Sequence, residues 1–364
     1  KGLKGVATKA EDTPQLIITC FSKDRLLIFT DQGRVYGLKA WETPLGSRHS
    51  RGGHIRNLLE SLREDENIVT ILPISRDLLE SPEGNYLLFA TKLGLIKKTR
   101  LEEYVRINRN GKYALRFKLE GDSLVNVRCG TDSSDIVMIS STGFASRFAC
   151  QKIRSSGRVS AGVYGIKTGH RKGADGGHVV GMIATDNTET QILTITKNGM
   201  AKRSRLGTAD KIPDLDSEGI QKVDKETGEL KQRTDGYRKT NPGAKGAFTM
   251  NIDQTENDEI IAARHIPNLD DNLFVLTKKG MMIRLHSSQT KETKSKKSKG
   301  TRIMELRNKD KTGFTDEIIF VARLPAELID DEDDFDAMDT DGDGVVTREE
   351  FEAAQQMKNL LEEE

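Results

Sequence analysis

Aromatic side chains are scarce in this chain, 5% of its 364 residues with a single Trp. Base stacking on single strands needs aromatics interleaved with cations, and that interleaving is missing. The core must come mainly from Ile, Val, Leu and Ala. Cysteine is also rare. Cys20, Cys129 and Cys150 are far apart and form no CxxC pair, which argues against structural zinc and reads as buried small apolar residues in a reducing, cytoplasmic compartment. No apolar run approaches a membrane span and no signal-peptide pattern is visible, so no membrane partner is expected. There is no GxxxxGK[ST] loop, which excludes P-loop nucleotide hydrolysis. The six His are scattered without ligand spacing. No helix-turn-helix, zinc-finger or basic-zipper pattern is present.

The net charge of +1 conceals an asymmetry. Residues 325–364 hold 16 acidic and 2 basic side chains, leaving 40 acidic and 55 basic in residues 1–324. A cationic body with an anionic tail points to nucleic-acid binding, with a segment able to compete for the same surface. The plainer alternative is a solvated charged face and a solubilising tail.

The body is repetitive. Five times a run of β-formers meets Ser or Thr, two further residues, then Gly, then a second run with basic side chains. The copies are Leu26 to Lys39, Tyr86 to Arg100, Ile136 to Phe148, Gln191 to Arg205 and Asn272 to His286, turning at Gly33, Gly94, Gly143, Gly199 and Gly280. Asn198-Gly199 is the strongest hairpin signal, since both residues tolerate positive φ. The Gly spacings are 61, 49, 56 and 81 residues, the longest interval holding a polar insertion near Lys211 to Tyr237 that reads as a surface loop. Each hairpin is followed by a basic Gly-containing loop and a closing apolar strand. Six closing strands are counted, Leu16 to Cys20, Ile68 to Leu72, Leu124 to Val127, Val179 to Ile183, Ile260 to Ala263 and Ile318 to Ala322, against five hairpins. The unmatched one is N-terminal, so the chain reads as cut from a longer protein within its first repeat. Units of this size cannot bury a face alone. The expected fold is all-β, a closed six-bladed, propeller-like ring of four-stranded units over residues 1–324, with an acidic, EF-hand-like helical tail over 325–364. Two separate sandwiches would not explain a steady repeat.

The loop opening each second half-unit is basic. Lys1 and Lys4 begin the first, Arg48 and Arg51 lie in the second, and Arg106, Arg109 and Lys112 in the third. Arg154 and Arg158, then Arg238, Lys239 and Lys245, then Lys294, Lys296, Lys297 and Lys299 follow. Cations just after the turn Gly are expected to join them: Lys97, Lys98, Arg147, Lys202, Arg203 and Arg284. Loops in register on equivalent units predict a cationic rim that contacts phosphates without reading bases. Binding should weaken with salt, log K falling by about 0.9 per phosphate contact per decade. From a persistence length of about 150 bp, half a turn of duplex over ~40 bp costs on the order of 10 kcal/mol, which several distributed contacts must offset. A scaffold binding acidic proteins or RNA through the same loops is the alternative reading. It would show no duplex-length threshold.

Residues 1 to about 324 resemble the C-terminal domain of the DNA gyrase A subunit. The resemblance is carried by Gly33-Arg34-Val35-Tyr36 with Lys39, by Leu58-Leu59 and Ile71-Leu72-Pro73, and by Gly199 with Lys202-Arg203. The family's Gln-Arg-Arg-Gly-Gly-Lys-Gly box belongs to the first blade, where its last two positions match Lys1-Gly2, whereas Ser50-Arg51-Gly52-Gly53 belongs to the next. The resemblance implies a six-bladed β-pinwheel that wraps double-stranded DNA and presents a segment for strand passage and negative supercoiling. It implies a monomeric fragment of an A2B2 assembly, partnered by the gyrase B subunit together with the rest of the gyrase A subunit. ATP, Mg2+ and the catalytic Tyr would act elsewhere in that type IIA topoisomerase, leaving this fragment non-catalytic. The topoisomerase IV A subunit has a related but more degenerate domain, and evenly built units favour gyrase.

Asp339-Thr340-Asp341-Gly342-Asp343-Gly344-Val345-Val346-Thr347-Arg348-Glu349-Glu350 matches an EF-hand loop at every ligand position. Asp339, Asp341 and Asp343 would supply carboxylates to Ca2+, Val345 a carbonyl, Thr347 a ligand or water contact, and Glu350 a bidentate carboxylate. A disordered acidic tail is the alternative.

Overall fold

The computed structural model describes residues 16, 18–46, 52–168, 176–216, 218–224, 227–252, 256–308, 310 and 313–325. Five hairpins appear where the repeats place them. They join Arg25–Thr30 to Arg34–Lys39, Asn85–Thr91 to Leu95–Arg100, Asp135–Ser140 to Phe144–Ala149, Gln191–Thr196 to Met200–Arg205, and Asn272–Thr277 to Met282–His286. Each turn Gly is left-handed, with φ of +75° at Gly33 and +93° at Gly94. Its N–H donates to the carbonyl three residues back, as from Gly33 to Thr30 at 3.0 Å. The Thr at that position has a second use. Its Oγ1 accepts the N–H that follows the Gly, from Arg34, Leu95, Met200 and Met281. This pattern is a tight turn closed by a left-handed Gly, not the two-residue turn that Asn198-Gly199 suggests. Only Gly199 of that pair has positive φ, and the Asn198 side chain reaches the Glu256 carbonyl instead.

Each first hairpin strand pairs on its other side with an inner strand: Ile68–Ile74, Leu124–Thr131, Val179–Thr185, Ile260–Ile266 and Ile318–Leu324. The fourth strand of a blade comes from the next repeat. Lys112–Tyr113, which follows the second hairpin, pairs with the first blade at Arg34 and Val35. Val163–Tyr164, Ala247–Phe248 and Thr301–Arg302 do the same for blades 2, 3 and 4. Every four-stranded blade therefore runs inner, first, second, exchanged, and consecutive blades are interlocked. The exchanged strands enter through left-handed glycines. A Cβ on Gly162, Gly246 or Gly300 would stand 2.4, 2.2 or 2.4 Å from a carbonyl oxygen of the strand beside it. No other residue fits that approach.

Apolar residues fill the spaces between blades. Leu27 and Phe29 of blade 1 meet Leu87 and Phe89 of blade 2, while Leu88 and Ala90 face Ile136 and Met138 of blade 3. Val137 and Ile139 meet Ile192 of blade 4, whose Leu193 and Ile195 meet Leu273 and Val275 of blade 5. Successive strand residues point to opposite faces and both faces are covered, which explains runs that are apolar without alternation. Three aromatics cluster between blades 1 and 2. Phe29, Phe89 and Tyr104 pack edge-on and tilted, with centroids 5.6 and 5.8 Å from Phe89.

The all-β, propeller-like arrangement is as expected, but the described residues form five blades rather than six. Leu16, Ile18 and Cys20, placed in an unmatched closing strand, are exposed and outside any strand. Blade 5 has three strands among the described residues and no exchanged partner. Inner strands touch in the order of the blades, as in a propeller-like ring, and among the described residues no contact of similar extent joins the first to the fifth. The expected polar insertion is a two-stranded arm, Lys211–Pro213 paired with Gln232–Thr234.

Candidate nucleic-acid interface

The exchanged strand lies opposite the inner strand in every four-stranded sheet, so the loop leading into it runs along the outer edge. Three of these loops first follow a 3-10 turn and the one carrying Lys239 follows the two-stranded arm; they then align parallel to the second hairpin strand of the preceding blade, as Ser155 does with Lys98, Lys239 with Arg147 and Glu292 with Arg203. In blades 2, 3 and 4 the residues three and four beyond the turn Gly hold the loop there.

At the fourth residue the holder is a cation. Arg147 is fully buried; its guanidinium binds Asp135 at 3.1 Å and donates to the carbonyls of Leu206, Gly207 and Tyr237 at 2.9, 2.8 and 2.9 Å. Arg203 donates to Thr290 O at 2.7 Å and Ser288 O at 3.3 Å, and pairs with Gln191. Lys98 pairs with Asp132, lies 4.0 Å from the Tyr86 ring centre and reaches Cys150 O at 3.5 Å. In blade 1 the arrangement is inverted: the fourth residue is Gly37, and Arg25 crosses from the first strand to bind Ile107 O. A Cβ on Gly37 would stand 3.1 Å from that guanidinium and 2.1 Å from the Ile107 oxygen. At the third residue, Lys97 donates to Ala114 O and Arg158 O, and Lys202 to Ser295 O at 2.9 Å. Burial pushes Lys97 down to about 7 and Lys202 to about 8.

The cations expected at the rim therefore divide in two. Lys97, Lys98, Arg147, Lys202 and Arg203 are buried, at most 5% exposed, and their charge is turned inward onto carbonyls and carboxylates. The sequence placed them with the loops because they follow the turn. The structure puts them beneath the loops, since the exchanged segment covers that part of the strand. Arg158 is half-buried against Glu103, and Lys296 is half-buried 3.6 Å from the Tyr237 ring centre, pushed down to about 7 by burial and then by Lys202.

Arg106, Arg109, Lys112, Arg154, Arg238, Lys239, Lys245, Lys294, Lys297 and Lys299 are exposed on four successive outer loops. Some have neighbours: Arg109 binds Glu42 at 2.9 Å, Lys239 binds Asp135 at 3.0 Å, and Lys245 sits 4.4 Å from the Phe144 ring centre. Arg284 is exposed too, bound to Asn272 at 3.0 Å. It is the fourth residue of blade 5, the blade without an exchanged loop to cover it. Lys1, Lys4, Arg48 and Arg51, and the whole of Asp339 to Glu350, lie outside the described residues. One cleft has no sequence signal. The insertion arm brings Arg233 to Arg205, Lys294 and Lys296 around a cavity of about 290 Å³ that also holds Asp235 and Glu292. Residues this far apart meet only through strand exchange.

Interlocked blades with an inner apolar seam and cationic outer loops define a strand-exchanged, propeller-like domain. A family described as "DNA gyrase C-terminal domain, beta-propeller" matches residues 24–75, 85–130, 134–186, 190–213 and 271–312, and the chain belongs to that family. The DNA gyrase A subunit of Staphylococcus epidermidis is 34% identical over 307 residues, 84% of this chain and 30% of the relative. That of Staphylococcus aureus is 32% identical over the same shares. The chain thus spans about a third of the length of these relatives. In three dimensions it is similar to a DNA gyrase A C-terminal domain, with TM-score 0.63, 19% identity, and 89% and 90% of the two chains covered. It is also similar to the C-terminal domain of a DNA topoisomerase IV, with TM-score 0.64, 20% identity, and 84% and 80% covered. These two likenesses show the fold alone. The sequence relatives are gyrase A subunits, and topoisomerase IV is not favoured.

Replacing Arg147 with Met would leave three carbonyls without their donor and Asp135 with Lys239 alone, at a cost of about 3–5 kcal/mol. Urea unfolding should show a loss of that size. A loss below about 1 kcal/mol would mean the buried guanidinium does not hold the exchanged loop.

Proposed function

We propose that this chain is the DNA-wrapping part of a gyrase A subunit, with duplex DNA following its outer loops. The observation carrying this reading is the recurrence of exposed cations on the exchanged loop of four consecutive blades, all on the edge opposite the inner strands. Contacts distributed along a curved edge are what a bent duplex requires, and phosphate contacts need no base readout. Exposed aromatics along these loops are few: Tyr113 beside Lys112, and Phe248, which stacks on Phe144 with centroids 4.5 Å apart while Lys245 and Lys297 lie over the two rings. The chain carries no chemistry in this proposal. Burial pushes the phenols of Tyr36, Tyr104 and Tyr237 up, the opposite of what activates a nucleophile. Strand cleavage, ATP hydrolysis and the gyrase B subunit belong to the remainder of the assembly.

Bound to relaxed circular plasmid and ligated, the chain should shift the topoisomer distribution, and affinity should rise with duplex length up to several helical turns. Changing Arg106, Lys112, Lys245 and Lys297 together to Ala should lower the slope of log K against log salt by about 3 to 4, near 0.9 per lost phosphate contact. Affinity independent of duplex length, with no topological shift, would favour a scaffold that binds acidic partners instead.

The acidic segment 325–364 is proposed to bind Ca2+ through Asp339, Asp341, Asp343, Val345, Thr347 and Glu350, and in its metal-free form to compete with DNA for the cationic loops. Calorimetric titration of the full chain should give one calcium site, weakened at least tenfold by Glu350→Gln. A titration without binding heat removes this part of the proposal.

A further inference from the structure

The inner strands of blades 2, 4 and 5 each contribute an arginine that the outer edge does not use: Arg128, Arg264 and Arg323. Arg128 pairs in register with Leu88 and Arg264 with Leu193, each three residues before its turn Thr, so they occupy the same rung of two blades. Arg323 lies one rung further along, opposite Leu273. The three groups feel one another. Burial and then Arg323 lower Arg128, and burial and then Arg128 bring Arg264 down to about 10. His265 is brought down to about 4 by burial, then by Arg323 and Arg128, and its Nε2 is buried without a partner among the described residues.

The counter-charge at hand does not match. Arg323 binds Asp271 at 3.0 Å. Arg264 spends its donors on neutral carbonyls, Val321 O at 2.6 Å and Ala263 O at 3.1 Å. The Arg128 guanidinium has no acceptor among the described residues. Three half-buried guanidiniums beside one carboxylate repel, and Arg128, which keeps some contact with water, holds its charge without a partner among the described residues. A planar guanidinium is matched by a group offering two oxygens on one edge, a phosphate or a carboxylate.

We propose that Arg128, Arg264 and Arg323 form an axial binding site for one oxyanion, independent of the outer loops and of DNA wrapping. The oxyanion has two sources on chemical grounds, free phosphate or a carboxylate of residues 326–364, the acidic stretch that begins three residues after Arg323.

The test follows the melting temperature of the full chain in phosphate-free buffer as inorganic phosphate is added. With free phosphate as ligand, the melting temperature rises and Arg128→Met needs at least tenfold more phosphate for the same shift. Replacement of an exposed lysine of no assigned role, Lys118→Met, keeps the unsubstituted response. With a carboxylate of the chain as ligand, phosphate has no effect, and Arg128→Met lowers the melting temperature by a margin that shrinks at high salt, as loss of an ion pair must. The proposal is overturned if phosphate has no effect and Arg128→Met melts at the same or a higher temperature. It is also overturned if Lys118→Met weakens the phosphate response as much as Arg128→Met does.

Discussion

The fold depends on how each blade holds a strand that is not its own. An exchanged strand contributes only two ladder residues, as Lys112–Tyr113 and Val163–Tyr164 do, and two-residue pairing is marginal without support. Support comes from charge rather than apolar area. Arg25, Lys98, Arg147 and Arg203 each reach a carbonyl of the segment donated by the next repeat, and Lys97 and Lys202 add a second grip. Hydrogen bonds from charged donors contribute more than neutral ones, roughly 1.5–3 kcal/mol each. They are also directional, which fixes the register of a strand too short to fix its own.

This division of labour gives the cations two unlike tasks within a few ångströms. Lys97, Lys98, Arg147, Lys202 and Arg203 on the hairpin strands of blades 2 to 4 are interior, with their donors turned onto carbonyls and carboxylates. Those on the loops above them are exposed on one edge. The interior set determines where the exterior set stands, because the loop carrying Arg238, Lys239 and Lys245 follows the path that Arg147 imposes. Lys239 also shares Asp135 with Arg147, so the outer charge is tied directly to the inner clamp. Any function of the outer edge is built on the inner set, and Lys98→Ala or Arg203→Ala would act on DNA through the position of a loop.

Much of the fold was legible because the turn chemistry is local. Thr-x-x-Gly states both the left-handed residue and the side chain that closes the turn, and with its Ser variant it located all five hairpins. Strand exchange was not legible, since Val163–Tyr164 or Thr301–Arg302 carries no periodicity and its partner lies in another repeat. The same blindness misplaced Lys97, Lys98, Arg147, Lys202 and Arg203. A basic residue after a turn reads as exposed until the segment that covers it is known. The N-terminal unit was overcounted because Leu16 to Cys20 has a strand-like apolar composition, while its described residues have no sheet to join. Gly37 was a signal overlooked, an interruption of the cationic position that Arg25 fills from the opposite strand.

The central claim, that hairpin cations are internal clamps and loop cations form the binding edge, is tested most directly by lysine labelling with an amine-reactive reagent, read by mass spectrometry with and without a long duplex. Lys112, Lys245, Lys294 and Lys297 should react in the free chain and be protected by DNA, while Lys97, Lys98 and Lys202 stay unreactive in both. Ready labelling of the second group in the free chain, followed by protection on DNA, would contradict the account.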